Sequence, residues 1–189
     1  MNTLNTISKT AIIIIAIFTA TLFYSSCRKK PTIPPDPNEE ELITTLQINF
    51  IDSAGVQPSA TAIFKDADGD GGNSPSQWDT IRLKANTTYL TQILLLDETK
   101  SPADTISNEV LEEGKDHLFC FTTSGVTAAI KRTDLDINNL EIGLQSKWSI
   151  GLASNGSVQI VLRHQPDVKD GTCAPGASDI DVTFTCEIQ

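Results

Sequence analysis

Between Leu42 and Gln189, hydrophobic and polar residues alternate with a period of two in one segment after another, the mark of strands buried on one face. Leu42, Thr44, Leu46, Ile48 and Phe50 share one face of the first segment, with Ile43, Thr45, Gln47 and Asn49 on the other. Asp52-Ser-Ala-Gly55 then turns the chain, as these residue types favour. Ala60–Lys65 reads as the next strand, and Trp78–Lys84 as a third that places Ile81 and Leu83 together. Asn86–Asp97 is strongly strand-like, and its Leu94-Leu95-Leu96 run implies burial on both faces.

Thr105–Asp116 breaks the alternation. Thr105 or Ser107 is placed to cap a helix, Ile106, Val110 and Leu111 give it an apolar stripe, and Gly114 is placed to end it. Strand patterns return at His117–Thr123, Val126–Arg132, Ser146–Leu152 and Ser157–His164. Asn155-Gly156 between the last two predicts a tight hairpin. The final strand sets Ile180, Val182, Phe184, Cys186 and Ile188 inward, against Asp181, Thr183, Thr185 and Glu187 outward. About eight or nine short strands with one short helix predict an all-β antiparallel sandwich, immunoglobulin-like in organisation. Strands and helices do not alternate, which argues against a parallel α/β sheet.

The first forty residues have a different pattern. Lys9 precedes an apolar run from Ala11 to Tyr24, and small residues then lead into Ser25-Ser26-Cys27. The run is shorter than the roughly 18–20 residues of a spanning helix, and it has the layout of a secretory signal. The cysteine directly after small residues makes it resemble a bacterial lipoprotein signal, with Tyr24 where that family usually has Leu. The resemblance implies that residues 1–26 are removed and that Cys27 becomes a lipidated first residue at the outer membrane. Residues 27–41 follow as a tether, in which Pro31, Pro34, Pro35 and Pro37 favour extended geometry. Residues 42–189 form the sandwich domain. The basic Arg28-Lys29-Lys30 departs from the acidic start typical of surface-sorted lipoproteins and leaves the membrane face open.

Charge narrows the partners. All twenty-four acids and thirteen of the fourteen bases lie after the signal, so its removal takes the net charge from −10 to −11. An acidic chain without a basic stripe lacks the cations that nucleic-acid binding requires. With Cys27 carrying lipid, Cys173 and Cys186 are the expected disulfide of an oxidising compartment. Pairing of Cys120 with Cys186 stays open, because connectivity is not readable from sequence.

Asp66-Ala-Asp68-Gly-Asp70-Gly71-Gly72 is the most chemical segment. Carboxylates at positions one, three and five ahead of glycine can converge on a hard cation, and the segment resembles the first half of a calcium-binding EF-hand loop. Gln77 stands at position twelve, where bidentate Glu is usual, leaving Asp79 or Asp97 as further ligands for a calcium ion on Asp66, Asp68 and Asp70. Asp134-Leu-Asp136-Ile-Asn138-Asn139 repeats the spacing with less charge and reads first as a turn. His117 and His164 are the only histidines. A strand points His117 and Cys120 to opposite faces, a poor zinc pair, and His164 reads as a hydrogen-bonded structural residue. Asp52-Ser53-Ala54, Asp79-Thr80-Ile81 and Asp104-Thr105-Ile106 look like O-glycosylation sites of exported Bacteroidota proteins. The nucleophile elbow, the HExxH zinc motif and the glycine-rich phosphate and dinucleotide loops are absent from the sequence, which leaves no catalytic residue to name.

The Ser-Ser-Cys-Arg-Lys-Lys start, Asn38–Thr45, the Asp/Gly loop, Ile142-Gly-Leu144, Leu162–Pro166 and Ser178–Phe184 together resemble a family of small envelope lipoproteins of Bacteroidota. Relatives in that family are sometimes described as having a periplasmic binding-protein fold, which the strand-rich pattern and the chain length contradict here. The expectation is a lipid-anchored, non-enzymatic binding or scaffold module. Its expected partners are the membrane, through Cys27, and a glycan or another envelope protein. The alternative is an envelope hydrolase or glycan-processing enzyme with an acidic site.

Overall fold

The computed structural model describes residues 41–69 and 72–189. The signal, Cys27, the tether as far as residue 40, and Asp70 lie outside the described residues. Two sheets form an all-β sandwich. One carries six strands in the order β3-β2-β1-β5-β8-β7 and the other four, in the order β4-β10-β9-β6. The strands are β1 (Thr45–Asp52), β2 (Ala60–Lys65), β3 (Gln77–Trp78), β4 (Ile81–Leu83), β5 (Thr88–Leu96), β6 (His117–Ser124), β7 (Ala128–Arg132), β8 (Gln145–Ile150), β9 (Ser154–His164) and β10 (Ala177–Ile188). One helix, α1 (Ile106–Glu112), and a 3-10 turn (Gly114–Asp116) connect β5 to β6.

The alternation read from sequence becomes the core. Leu46, Ile48 and Phe50 on β1 face Ile160, Leu162, Val182 and Phe184 of the opposite sheet, all essentially inaccessible to solvent. Phe50 meets Trp148 edge-on, with ring centroids 5.1 Å apart. On β10 the five expected inward positions, Ile180 to Ile188, are all buried. Of the leucine run on β5, Leu95 is fully buried, whereas Leu94 and Leu96 are only half-buried. The helix lies where expected, but Thr105 makes no side-chain cap; instead the Leu95 amide donates to Ser107 Oγ, tying α1 to β5.

Three expectations are corrected. The segment Trp78–Lys84 is not one strand. β3 pairs with β2 at the edge of the six-stranded sheet, then Asp79-Thr80 carry the chain across to β4, which pairs in parallel with β10. The strand total among the described residues is therefore ten. Asn155-Gly156 is not a hairpin turn but lies inside β9, opposite Glu187 and Cys186. β8 and β9 belong to different sheets, joined by Gly151–Ala153. The glycine instead permits close approach, since a Cβ at Gly156 would overlap the Ser124 carbonyl oxygen.

The third correction concerns the disulfide: it joins Cys120 to Cys173, not Cys173 to Cys186. Strand alternation explains the choice. Cys186 points inward on β10 and is a buried free thiol, pushed up to about 11 by desolvation. Cys120 points outward on β6 with Leu118 and beside Val161, forming a small second cluster covered by the loop that carries Cys173. Arg132 braces the same corner: its Nε donates to the Phe119 carbonyl and its Nη1 to Glu141 at 2.8 Å.

Candidate functional site

The inner faces of β6 and β9 end in histidine. His117 and His164 are directly opposed in the antiparallel ladder, so their side chains emerge on the same face. The rings stack, with centroids 4.8 Å apart and planes 8° from parallel. Both residues are buried. A third group arrives through an irregularity in β10. Ser178 pairs with Arg163 and Ile180 with Leu162, so Asp179 is an extra residue in the ladder. Such a bulge re-aims a side chain that regular alternation would send to solvent. The Asp179 side chain is fully buried, its Oδ2 3.7 Å from His117 Nε2 and its Oδ1 3.9 Å from His164 Nδ1.

The elements around this cluster fix the protonation of His117. Its Nδ1 lies 3.2 Å from the Glu113 carbonyl oxygen. A carbonyl only accepts, so the Nδ1 carries the proton and Nε2 presents a lone pair. Desolvation pushes this imidazole down to about 4, with the Glu113 carbonyl opposing and His164 reinforcing the shift. It is neutral at physiological pH. Neither His117 Nε2 nor His164 Nε2 has a hydrogen-bond partner. Beyond Glu113, burial and the adjacent Glu109 raise Glu41 to about 7. Ligand atoms of Glu41, Glu113 and His117 form a second close group, sharing His117 with the first.

A cleft of about 450 Å³ reaches Asp179 from outside, lined by Ile43, Phe64, Asp66, Gly69 and Ser178 to Asp181. Phe64 is the one aromatic in that lining, and it is followed outside the cleft by Trp78. Leu46, Phe64 and Trp78 are opposed across β1, β2 and β3, so the core face continues to the sheet edge. There Phe64 and Trp78 meet edge-on at 5.1 Å, and Trp78 is 54% exposed.

Of the calcium-loop residues, Asp66 and Asp68 lie side chain to side chain. Asp66 is buried beside the cleft, with Oδ1 lacking a hydrogen-bond partner. Asp68 folds back on its own loop, Oδ2 accepting from the Asn73 amide at 2.8 Å and from Asn73 Nδ2 at 2.7 Å. Those bonds hold its carboxyl below the ordinary value. The proposed extra ligands are committed elsewhere. Asp79 accepts from the Ile63 amide and Gln77, and Asp97 from the Thr99 amide and hydroxyl. The Asp134–Asn139 segment is a turn: Asp134 accepts from the Gly143 and Gln145 amides, and Asp136 from those of Asn138 and Leu140. Asp136 also forms a buried ion pair with Lys169 at 2.8 Å. Among the glycosylation-like sites, Ser53 is exposed in a turn, whereas Thr80 and Thr105 are half-buried.

Sequence reasoning named both histidines but did not join them, and it placed Asp179 nowhere. The pairing depends on the register of β6 against β9, and Asp179 on a bulge that alternation does not announce. No protein-family model, curated protein or solved structure matches this chain.

Proposed function

We propose that this chain is a lipid-anchored, glycan-binding module of the cell envelope, held to the outer membrane by Cys27 and working without catalysis. The observation that carries the reading is the cleft lined by Phe64, Asp66 and the polar edge Ser178–Asp181, with exposed Trp78 packed edge-on against Phe64 just outside that lining. Its volume lies in the range of small-ligand sites. A sugar ring has an apolar face to lay on an aromatic and hydroxyls to donate to carboxylates, and this cleft offers both. The lipoprotein resemblance supplies the address, and a proline-rich tether suits a module that reaches glycan from a membrane.

The test is binding of the full chain, in detergent, to neutral and acidic envelope glycans. Trp78→Ala, which removes a half-exposed ring, is expected to abolish retention while leaving the fold intact by circular dichroism. Equal retention by the variant, or no retention by the native chain, overturns the reading. Carboxylates lining the same cleft favour a second reading, a glycan-processing hydrolase. It requires turnover of a bound glycan that is lost in Asp181→Asn.

A further inference from the structure

We propose that His117, His164 and Asp179 form a binding site for one divalent transition-metal ion, of the nitrogen- and oxygen-liganded class that zinc represents. Candidate ligand atoms of the three residues lie within 4.8 Å of one another. The separations argue for an ion rather than a hydrogen-bonded cluster. At 3.7 and 3.9 Å, the two histidine–carboxylate gaps exceed the roughly 3.2 Å limit of an N–H···O bond. Both fall within the roughly 4.2 Å that two metal–ligand bonds of about 2.1 Å can span. A slight contraction brings them to tetrahedral geometry.

Protonation points the same way. With its proton on Nδ1, facing the Glu113 carbonyl, His117 directs a bare Nε2 lone pair towards the Asp179 carboxylate. The buried Nε2 atoms of His117 and His164 both lack a hydrogen-bond partner, and a cation held beside Asp179 would satisfy them. A backbone carbonyl on the far nitrogen is also the usual outer support of a metal-bound histidine, fixing its tautomer and orientation. The second group, Glu41, Glu113 and His117, is not proposed, because the Nδ1 of His117 on that side already holds its hydrogen bond.

Coordination by both rings requires one adjustment. Parallel rings cannot both direct in-plane lone pairs at one point, so one must turn about its Cβ–Cγ bond. His164 is the ring that turns, since its Nε2 makes no hydrogen bond to break. The ion enters through the cleft that borders Asp179. Three protein ligands leave a position for water, the pattern of open zinc sites. The site shares Asp179 and its entrance with the proposed glycan cleft but does not use Trp78, so Trp78→Ala tests glycan binding alone and His164→Gln tests the ion alone.

The full chain in detergent, stripped with chelator, is titrated with cobalt(II) and followed by its visible absorption bands. The expected result is saturation at one equivalent, bands of a four- or five-coordinate nitrogen-containing site, and their loss when zinc is added. His164→Gln and Asp179→Asn are each expected to abolish the bands. His164→Gln is the decisive variant, because it removes a side chain whose Nε2 holds nothing, and circular dichroism confirms its fold. Absence of bands at about 100 μM cobalt, or undiminished bands in the folded His164→Gln protein, overturns the proposal.

Discussion

Breaking the Cys120–Cys173 bond tests how the outer face of the four-stranded sheet is held. The bridge spans 53 residues of sequence, and the chain-entropy relation for a loop of that size gives about 4 kcal/mol of stabilisation. For a fold of about 150 residues, the unfolding entropy converts this to a fall in melting midpoint of about 8–16 °C. Cys173→Ser removes the bond and also releases the loop from Leu118, Cys120 and Val161, so the upper part of that range is expected. Cys186→Ala provides the control. It deletes only a buried thiol and is expected to cost about 1 kcal/mol, with the disulfide still present by non-reducing peptide mapping. The assay is thermal unfolding of the full chain with and without reductant, beside both variants. A midpoint that moves less than about 2 °C on reduction, or a disulfide lost in Cys186→Ala, refutes the assignment and the reasoning from strand faces.

Further outcomes follow from particular contacts. Lys169→Met strands the buried Asp136 carboxylate and is expected to destabilise the fold by about 3–5 kcal/mol in denaturant titration. Adding Asp136→Leu is expected to recover part of that loss, and a double variant no better than the single one contradicts the ion pair. The Ala54, Gln57 and Val56 amides hold the Asp52 carboxyl below its ordinary 3.8. Its contribution is therefore present above that ordinary value and lost as pH falls through the lower, folded one. The midpoint difference between native chain and Asp52→Asn should stay constant from pH 8 to about 5 and shrink below about 4; a constant difference at acid pH opposes it. Calcium at about 1 mM is expected to move the midpoint by less than about 2 °C, because Asp68 Oδ2 is already committed to Asn73. A rise of about 5–10 °C, lost in Asp68→Ala, contradicts that expectation.

What could be read from sequence was what depends on periodicity. The inward set on β10 and the β1 face of Leu46, Ile48 and Phe50 are buried as alternation requires, because a one-residue slip would expose either set. What could not be read depends on contacts between distant segments. The exchange between sheets at Asp79-Thr80 leaves no local mark, since Trp78, Ile81 and Leu83 fit one strand as well as two. Asn155-Gly156 carries a turn signal, yet the glycine is used where the chain after β6 crowds β9. For the cysteines, strand parity held the answer: Cys120 alternates outward from Phe119 and Phe121, while Cys186 shares the inward face with Phe184. The His117–His164 contact needed the register of two strands 47 positions apart, and Asp179 needed a bulge. A candidate site assembled from register and irregularity is invisible to motif reading, however clear the strands are.

The proposed glycan site is the cleft between Phe64 and Ser178–Asp181. It is tested most directly by amide and indole NMR of the isotope-labelled full chain in detergent, titrated with soluble fragments of envelope glycan. Saturable shifts are expected for the Trp78 indole, for Phe64 and for Ser178 to Asp181, with β7 and its loops unmoved. Glycan that shifts no resonance of that cleft, or shifts only residues remote from it, contradicts the proposed site.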